Sequence, residues 1–150
     1  FTSVGRNSKL LLNVPPTSSG RLHDVDCARP RGMHAALTSL FEEDLSAGAE
    51  RTRTVTGPRA AVQEIDLGRV TDVGVIDLRE DIEVGQSVAG YRLQGEVDGT
   101  WRTLGAGVTI GYRKLDRFAP VPVRRLRLHV EDGWGPPPEV RIALYRGAAG

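Results

Sequence analysis

The chain has very few of the residues from which redox and metal sites are built. Cys27 is the only cysteine among 150 residues, and aromatic side chains make up 5%. A single cysteine excludes an internal disulfide and a cysteine-based zinc site. The 20 Lys plus Arg balance 19 Asp plus Glu, so the formal net charge is +1. With that balance, and with no apolar run near the roughly 20 residues of a membrane span, neither a nucleic acid nor a membrane is expected as a partner.

Short strands and turns dominate what is present. The 18 glycines and nine prolines favour them over a helical bundle. From about residue 50 to 147, strand-like segments recur at the spacing of an antiparallel sandwich or barrel. They are QEIDLG, VGVIDLRE, VAGYRLQGEV, TWRTLGAGVTI, VRRLRLHV and EVRIALYRG. The predicted fold is therefore mainly β, an antiparallel β-sandwich.

Two of these segments predict which side chains face the core. Asp98-Gly99 is a strong two-residue hairpin turn. It predicts the pairs Val97 with Thr100, Leu93 with Leu104, and Trp101 with Glu96. Alternation then points two sets inward (Leu126, Leu128 and Val130; Val140, Ile142 and Leu144) and one set out to solvent (Arg125, Arg127 and His129).

The first 46 residues have a different pattern. The run Leu10-Leu11-Leu12, followed by Asn13 and two prolines, has no polar side and predicts a strand covered on both faces. Residues 26–45 predict a helix, with Asp24 or Asp26 as its N-cap. If Asp26 is the cap, Pro30 lies within the first four residues, where it costs little. The apolar stripe of this helix is Met33, Ala36, Leu37, Leu40, Phe41 and, at its end, Asp44 or Leu45.

Candidate catalytic groups are sparse. His23, His34 and His129 lack the spacing of a metal pair, so we expect ordinary surface or half-buried histidines and neither metal nor cofactor. No nucleophile elbow or phosphate loop occurs, and Cys27 has no recognisable paired base. Carboxylates cluster in Glu42-Glu43-Asp44 and around Glu80, Asp81 and Glu83. A solvated helix face and a solvated turn are the favoured readings, although two carboxylates of the second cluster could face one ligand.

Two tryptophans are candidates for stacking against a sugar ring. Trp101 has a second interpretation, in which it covers the outer face of the hairpin. Trp134 lies in DGWGPPP, a loop where flanking glycines make exposure the expectation.

The first stretch, VGRNSKLLLNVPPTSSGRLHDVD, resembles the end of the catalytic barrel in α-L-fucosidases of glycoside hydrolase family 29. The pieces in this chain are Gly5, Arg6, Asn7, Leu10 to Leu12, Asn13, Val14, Pro15, Pro16, Gly20 and Asp24 or Asp26. A second stretch is similar to the C-terminal β-sandwich of the plant and actinobacterial type. It contributes Glu80, Ile82, Gly85, Gln86, Tyr91, Trp101, Gly107, Thr109, Gly111, Lys114, Leu115, Arg117 and Phe118.

The resemblance implies three parts. Residues 1–46 would be the last strand and helix of a (β/α)8 barrel, 47–56 a linker or first strand, and 57–150 a jelly-roll, galactose-binding-like sandwich. The family's catalytic Asp and Glu lie on earlier barrel strands, so we expect them upstream of Phe1, and no residue here is assigned their role. The Asp-Gly-Asp…Thr…Trp type of segment usual in such sandwiches is absent, so no ligand site is transferred from discoidin-like domains.

The implied function is removal of terminal α-L-fucosyl residues from glycans with retention. This part would support the barrel, its partners being the upstream barrel and, through the parent enzyme, a fucosylated glycan. The resemblance also implies a secreted location, which is usual for this family. The alternative is a non-catalytic carbohydrate-binding sandwich with Trp101 and Trp134 as platforms. Asn13, at the carboxyl end of the last barrel strand, would lie near the substrate or pin the turn there.

Overall fold

A computed structural model describes residues 1–83 and 85–147. Within these ranges the chain forms one helix and then six strands. Their bounds are α1 (Asp24–Leu40), β1 (Glu50–Val55), β2 (Ala61–Arg79), β3 (Val88–Val97), β4 (Thr100–Gly107), β5 (Lys114–Gly133) and β6 (Arg141–Tyr145). The first strand thus begins inside the segment 47–56.

The strands form one antiparallel sheet that folds back on itself. Its order is β1-β2-β5-β3-β4, and β6 joins at β2. The two long strands, β2 and β5, carry register shifts between Asp66 and Thr71 and between Val73 and Val75, where the sheet bends. One layer, the distal layer, holds β1, β3, β4 and residues 61–66 and 125–130; the other, the junction layer, holds β6 and residues 75–79 and 114–117. The predicted antiparallel β-sandwich is confirmed.

One apolar core fills the space between the layers. The predicted inward sets are confirmed, since Leu126, Leu128 and Val130 and likewise Val140, Ile142 and Leu144 are all buried. From β2 the core takes Ile65 in the distal layer and Ile76 and Leu78 in the junction layer. Burial of each such side chain contributes about 1.5–3 kcal/mol, so the core is the main source of stability.

The hairpin between β3 and β4 follows the prediction near its turn and departs from it farther away. Asp98 and Gly99 both have positive φ, and the pairs Val97 with Thr100 and Glu96 with Trp101 are confirmed. The pairing of Leu93 with Leu104 is wrong, because a β-bulge places Leu93 opposite Gly105. Leu104 packs over Gly95, where an added Cβ would meet its Cδ1 at 2.9 Å.

The outward side chains of β5 are less solvated than expected. Arg125 makes two hydrogen bonds to Glu96, at 2.6 and 2.8 Å, and Arg127 donates to Glu64 at 2.6 Å. His129 Nε2 lies 2.8 Å from the side-chain oxygen of Gln94. The three side chains point away from the core as predicted, but their cross-strand partners leave them half-buried.

Helix α1 is displaced from its predicted position. Its N-cap is His23, whose Nδ1 accepts a hydrogen bond from the Val25 amide at 3.2 Å, so both aspartate caps are wrong. Pro30 consequently lies inside the helix and not in its first turn. No residue of α1 is buried, and its apolar stripe packs on the sandwich at its C-terminal end, through Leu40 in the last turn and Phe41 directly after it.

The predicted strand around Leu10 is not formed within the described chain. Residues 8–16 have no regular secondary structure, and Leu10, Leu11 and Leu12 are all exposed, Leu11 by 92%. A strand needs hydrogen-bonding neighbours, and none of the six strands pairs with this segment. The double burial expected there is therefore wrong for this chain by itself.

Replacing Tyr91 by phenylalanine is expected to flatten the loss of stability in alkali. The Tyr91 side chain is buried and its hydroxyl donates to Asp116 at 2.5 Å. Burial first, and then this hydrogen bond, raise the pKa of Tyr91 far above its usual range. An unfolded chain releases the phenol proton at about pH 10, so stability falls as the pH rises above that value.

The measurement is urea unfolding between about pH 9 and about pH 11. Tyr91→Phe should show a smaller fall of the free energy of unfolding than the unchanged protein. Part of the fall should remain, because burial also raises the pKa of Tyr145. An equally steep fall in the variant would contradict the prediction.

Candidate functional site

The candidate site is the junction between residues 1–49 and the junction layer. It begins at Asn7, whose φ of 62° lies in the left-handed region that asparagine tolerates. The Asn7 side chain donates to the carbonyl of Ile110 at 2.9 Å and accepts from the amide of Arg113 at 2.8 Å. A Cβ on Gly111 would lie 2.8 Å from the Asn7 amide nitrogen, so only glycine fits there. The Leu115 amide donates to the carbonyl of Gly5 at 3.0 Å, which closes one edge of the layer.

The segment after α1 closes the opposite edge, along β6. Asp44 Oδ1 accepts from the amide of Leu144 at 3.0 Å, and the Leu45 amide donates to the Leu144 carbonyl at 2.8 Å. Arg51 donates to the carbonyls of Ile142 and Ser46, each at 3.2 Å. Residues 44–51 thus supply the partners that a further strand would otherwise provide.

An apolar cluster joins the two parts across the outer face of the junction layer. Leu40 and Phe41 pack on Val75, Leu115 and Tyr145. The rings of Phe41 and Tyr145 meet edge to face, with centroids 4.9 Å apart. The last turn of α1 is therefore fixed against the sheet.

Asp77 is the charged centre of this junction. Its side chain is 1% exposed, and its Oδ2 accepts from Arg79 and Arg113, both at 2.8 Å. The hydrogen bond to Asp77 raises the pKa of Arg79, so that guanidinium stays charged. Arg113 also lies over the Phe41 ring at 4.8 Å, which links the ion pair to the apolar cluster. Because the carboxylate and both guanidiniums are engaged within the fold, the arrangement serves to hold the parts together.

The carboxylate clusters do not form a catalytic pair. Glu80 is buried, and its side chain accepts from the amides of Ser87 and Val88 at 2.8 Å each and of Gly111 at 2.5 Å. The expectation of a solvated turn is wrong for Glu80, because three amides occupy its oxygens. Asp44, expected on a solvated helix face, instead lies past the end of α1 and binds the edge of β6. Asp81 accepts from the Glu83 amide at 3.1 Å, as turn residues do.

The three residues proposed to bind substrate do not meet. Trp101 lies beneath Arg127, whose guanidinium is 3.8 Å from the ring centroid. Trp134 is 77% exposed, in a loop tied to Ser87 at the start of β3. Trp101 pairs with Glu96 at the other end of β3, so roughly 30 Å of extended strand separates the two indoles. Asn13 is exposed in the segment without regular structure.

In residues 1–83 and 85–147, no group of three or more His, Cys, Asp or Glu side chains is placed to hold a metal ion. Over the same ranges, no helix has the length and hydropathy needed to cross a membrane. His23 caps α1, and His129 pairs with Gln94 on the distal layer.

Comparison with known proteins gives a consistent result. A putative α-L-fucosidase 1 of Oryza sativa subsp. japonica is 32% identical over 158 residues, covering 87% of this chain and 31% of the relative. The crystal structure of SpGH29 superposes with a TM-score of 0.88 at 31% identity, over 97% of this chain and 37% of that one. A Ruminococcus gnavus GH29 fucosidase in complex with fucose gives 0.86 at 26% identity, over 97% and 35%. No family model matches the chain.

The chain belongs to the α-L-fucosidases of glycoside hydrolase family 29. It spans about a third of the length of the curated relatives it matches, 31% in Oryza sativa and 34% in Arabidopsis thaliana. In this family 29 chain the two stretches that carry the resemblance touch each other, since Asn7 of the first binds next to Gly111 of the second.

Sequence reasoning missed the junction residues of this family 29 chain. The role of Asp77 could have been found from the sequence, because it is an acidic residue inside the apolar run VGVIDL. A charge inside a buried strand needs a partner, and arginines follow at Arg79 and Arg113. Gln63 is a further case, since its side chain exchanges two hydrogen bonds with the backbone of Val140, at 2.8 and 2.9 Å. Nothing local to Gln63 marks that role.

Asp77→Asn is expected to destabilise the chain by about 2 kcal/mol. The amide would leave two arginines without their shared carboxylate, and the cost is below that of a fully buried pair because both arginines are partly exposed. Asp72→Asn, at an exposed position of the same strand, is the matched control. Urea unfolding of the three proteins gives the comparison, and equal losses in the two variants would show that Asp77 has no special part.

Proposed function

We propose that the chain is the C-terminal part of an α-L-fucosidase that removes terminal α-L-fucosyl residues from glycans. In this proposal the chain supports the catalytic barrel structurally. The observation that carries it is the junction layer, in which residues 1–49 occupy both edges and one face. A sandwich bound in this way is part of the barrel's own packing, unlike a module on a flexible linker.

The exposed apolar surface of residues 1–46 supports the same proposal. Leu10 to Leu12 are exposed, as are Met33 and Leu37 on α1. In a (β/α)8 barrel the last strand has neighbours on both sides and is covered by its helix. We propose that 1–46 is the last strand and helix of such a barrel, 47–56 the linker and first sandwich strand, and 57–150 the sandwich.

The proposed chemistry lies outside this chain. Retaining glycosidases use two carboxyl groups, one as nucleophile and one as acid and base. Glu80 and Asp77, buried carboxylates of this chain, are committed to amides and arginines. The proposal therefore places the catalytic Asp and Glu on the barrel strands upstream. The substrate would be a fucosylated glycan, and secretion of the parent enzyme is part of the proposal.

The chain direction supports a sandwich on the face of the proposed barrel away from the active site. A barrel helix runs antiparallel to the strand before it, so the start of the last strand and the end of its helix lie at the same face. Both anchors are there: Gly5 to Asn7 precede the strand, and Phe41 to Ser46 follow α1. Active sites of such barrels lie at the carboxyl ends of the strands, the opposite face.

The 150-residue chain alone is expected to have no glycosidase activity. Its residues would lack both catalytic carboxylates, whereas a longer protein with the upstream barrel should hydrolyse an aryl α-L-fucoside. Release of the aryl alcohol by both purified proteins gives the test, with buffer alone as the baseline. Turnover by the short chain, or none by a folded longer protein, would overturn the proposal.

Asn13→Ala in the longer protein is expected to cost about 1 kcal/mol of stability while kcat and KM stay unchanged. That result corresponds to a side chain that pins the turn before Pro15. Thermal unfolding and steady-state kinetics on an aryl α-L-fucoside are measured in parallel, with Ser18→Ala in the same loop as the control. A raised KM with unchanged stability would instead assign Asn13 to the substrate rim.

A further inference from the structure

We propose that the loop carrying Trp134 is a binding platform for one sugar ring of a neutral glycan, separate from the hydrolytic site. Trp134 is 77% exposed. An indole offers a flat apolar face that suits the C–H face of a pyranose, and it loses little conformational freedom on binding. Exposing so large an apolar side chain has no value for folding, since it lies outside the apolar core.

The backbone around Trp134 is fixed. The Trp134 amide donates to the Ser87 carbonyl at 2.8 Å, and the Gly133 amide to the Asp132 carboxylate at 2.8 Å. A Cβ on Gly133 would lie 2.7 Å from the Ser87 carbonyl oxygen, so the two segments touch. Three prolines follow at 136–138 and restrict the chain further. A rigid aromatic binds with a smaller entropic cost than a mobile one.

Glu80 links this loop to the junction. Its carboxylate accepts from the amides of Ser87 and Val88 and, through its other oxygen, from Gly111, which lies against Asn7. Ser87 in turn holds Trp134. Glu80 is thus a positioning residue for the platform, although it does not touch the proposed ligand.

An exposed ion pair lies next to the loop that carries Trp134. Arg59 and Asp132 are 3.8 Å apart, with side chains 61% and 64% exposed, and Asp132 precedes Trp134 by two residues. The guanidinium donates and the carboxylate accepts, so together they match the vicinal hydroxyls of a sugar. Because the pair has no net charge, it favours a neutral ring over an anionic one.

Trp101 lacks these properties. Arg127 covers its ring at 3.8 Å, and Arg125 lies at 5.4 Å. The two tryptophans of the chain therefore serve as test residue and control, since Trp134 is exposed and Trp101 is covered.

The binding test uses the full 150-residue chain with Trp101→Phe, which leaves Trp134 as the only tryptophan. Titration with lactose and with a fucosylated lactose should shift its emission to the blue and protect it from acrylamide. An anionic oligouronate should do neither. Unchanged emission with both neutral sugars, or a response to the oligouronate alone, would overturn the proposal.

Calorimetry with the same sugars assigns the residues. Trp134→Ala should weaken association at least about tenfold, and Trp101→Ala should leave it within about twofold. Glu80→Gln should weaken association while far-UV circular dichroism stays unchanged, a separation that a simple loss of fold would not give. Equal affinity in Trp134→Ala and the unchanged chain would refute the platform.

The choice of a glycan as ligand rests on the proposed function, yet the two can fail separately. Binding is measured on a chain that would lack the catalytic carboxylates, so its outcome does not depend on hydrolysis. An inactive longer protein with intact sugar binding would refute only the fucosidase proposal. An active longer protein whose Trp134 does not respond to sugar would refute only the platform.

Discussion

The buried carboxylate of Asp77 is the interaction on which the junction depends. It lies on the face of β2 turned away from the sandwich core, and its Oδ2 accepts there from both Arg79 and Arg113. Arg113 also contacts two other parts of the junction. Its backbone amide donates to the Asn7 side chain, and its guanidinium lies over the Phe41 ring. One charge in the apolar run VGVIDL thereby organises a loop, a helix end and an N-terminal turn. A buried ion pair specifies geometry through its need for satisfied partners more than through net attraction.

Periodicity predicted the sandwich because alternation is a local property. The inward faces of β5 and β6 and the turn at Asp98-Gly99 followed from residues within a few positions of each other. Two of the errors share one cause, which is that the deciding contact lies on another strand or loop. The bulged residue Leu104 packs over Gly95 of the neighbouring strand, and the Glu80 carboxylate accepts from the amide of Gly111. Neither partner is marked by its own neighbours in the sequence.

The candidate site was less predictable than the fold for the same reason. The family resemblance placed Asn7 and Gly111 in two motifs but did not explain why residue 111 is a glycine. The structure supplies the reason, since the amide of Asn7 fills the volume that a side chain at 111 would need. The segment Leu10 to Leu12 marks the opposite limit: its apolar pattern is clear, yet its hydrogen-bonding neighbours are not among the six strands described.

The continuous path of β2 and β5 through both layers has a consequence for biosynthesis. Every strand pairs with β2 or β5 except β4, and β5 itself ends only at Gly133. The edge of β6 is completed by Asp44 and Arg51, from the other end of the chain. Contacts between residues so far apart in sequence form slowly. The sandwich can therefore be completed only after Tyr145 has left the ribosome, and until then its unpaired strand edges are open to aggregation.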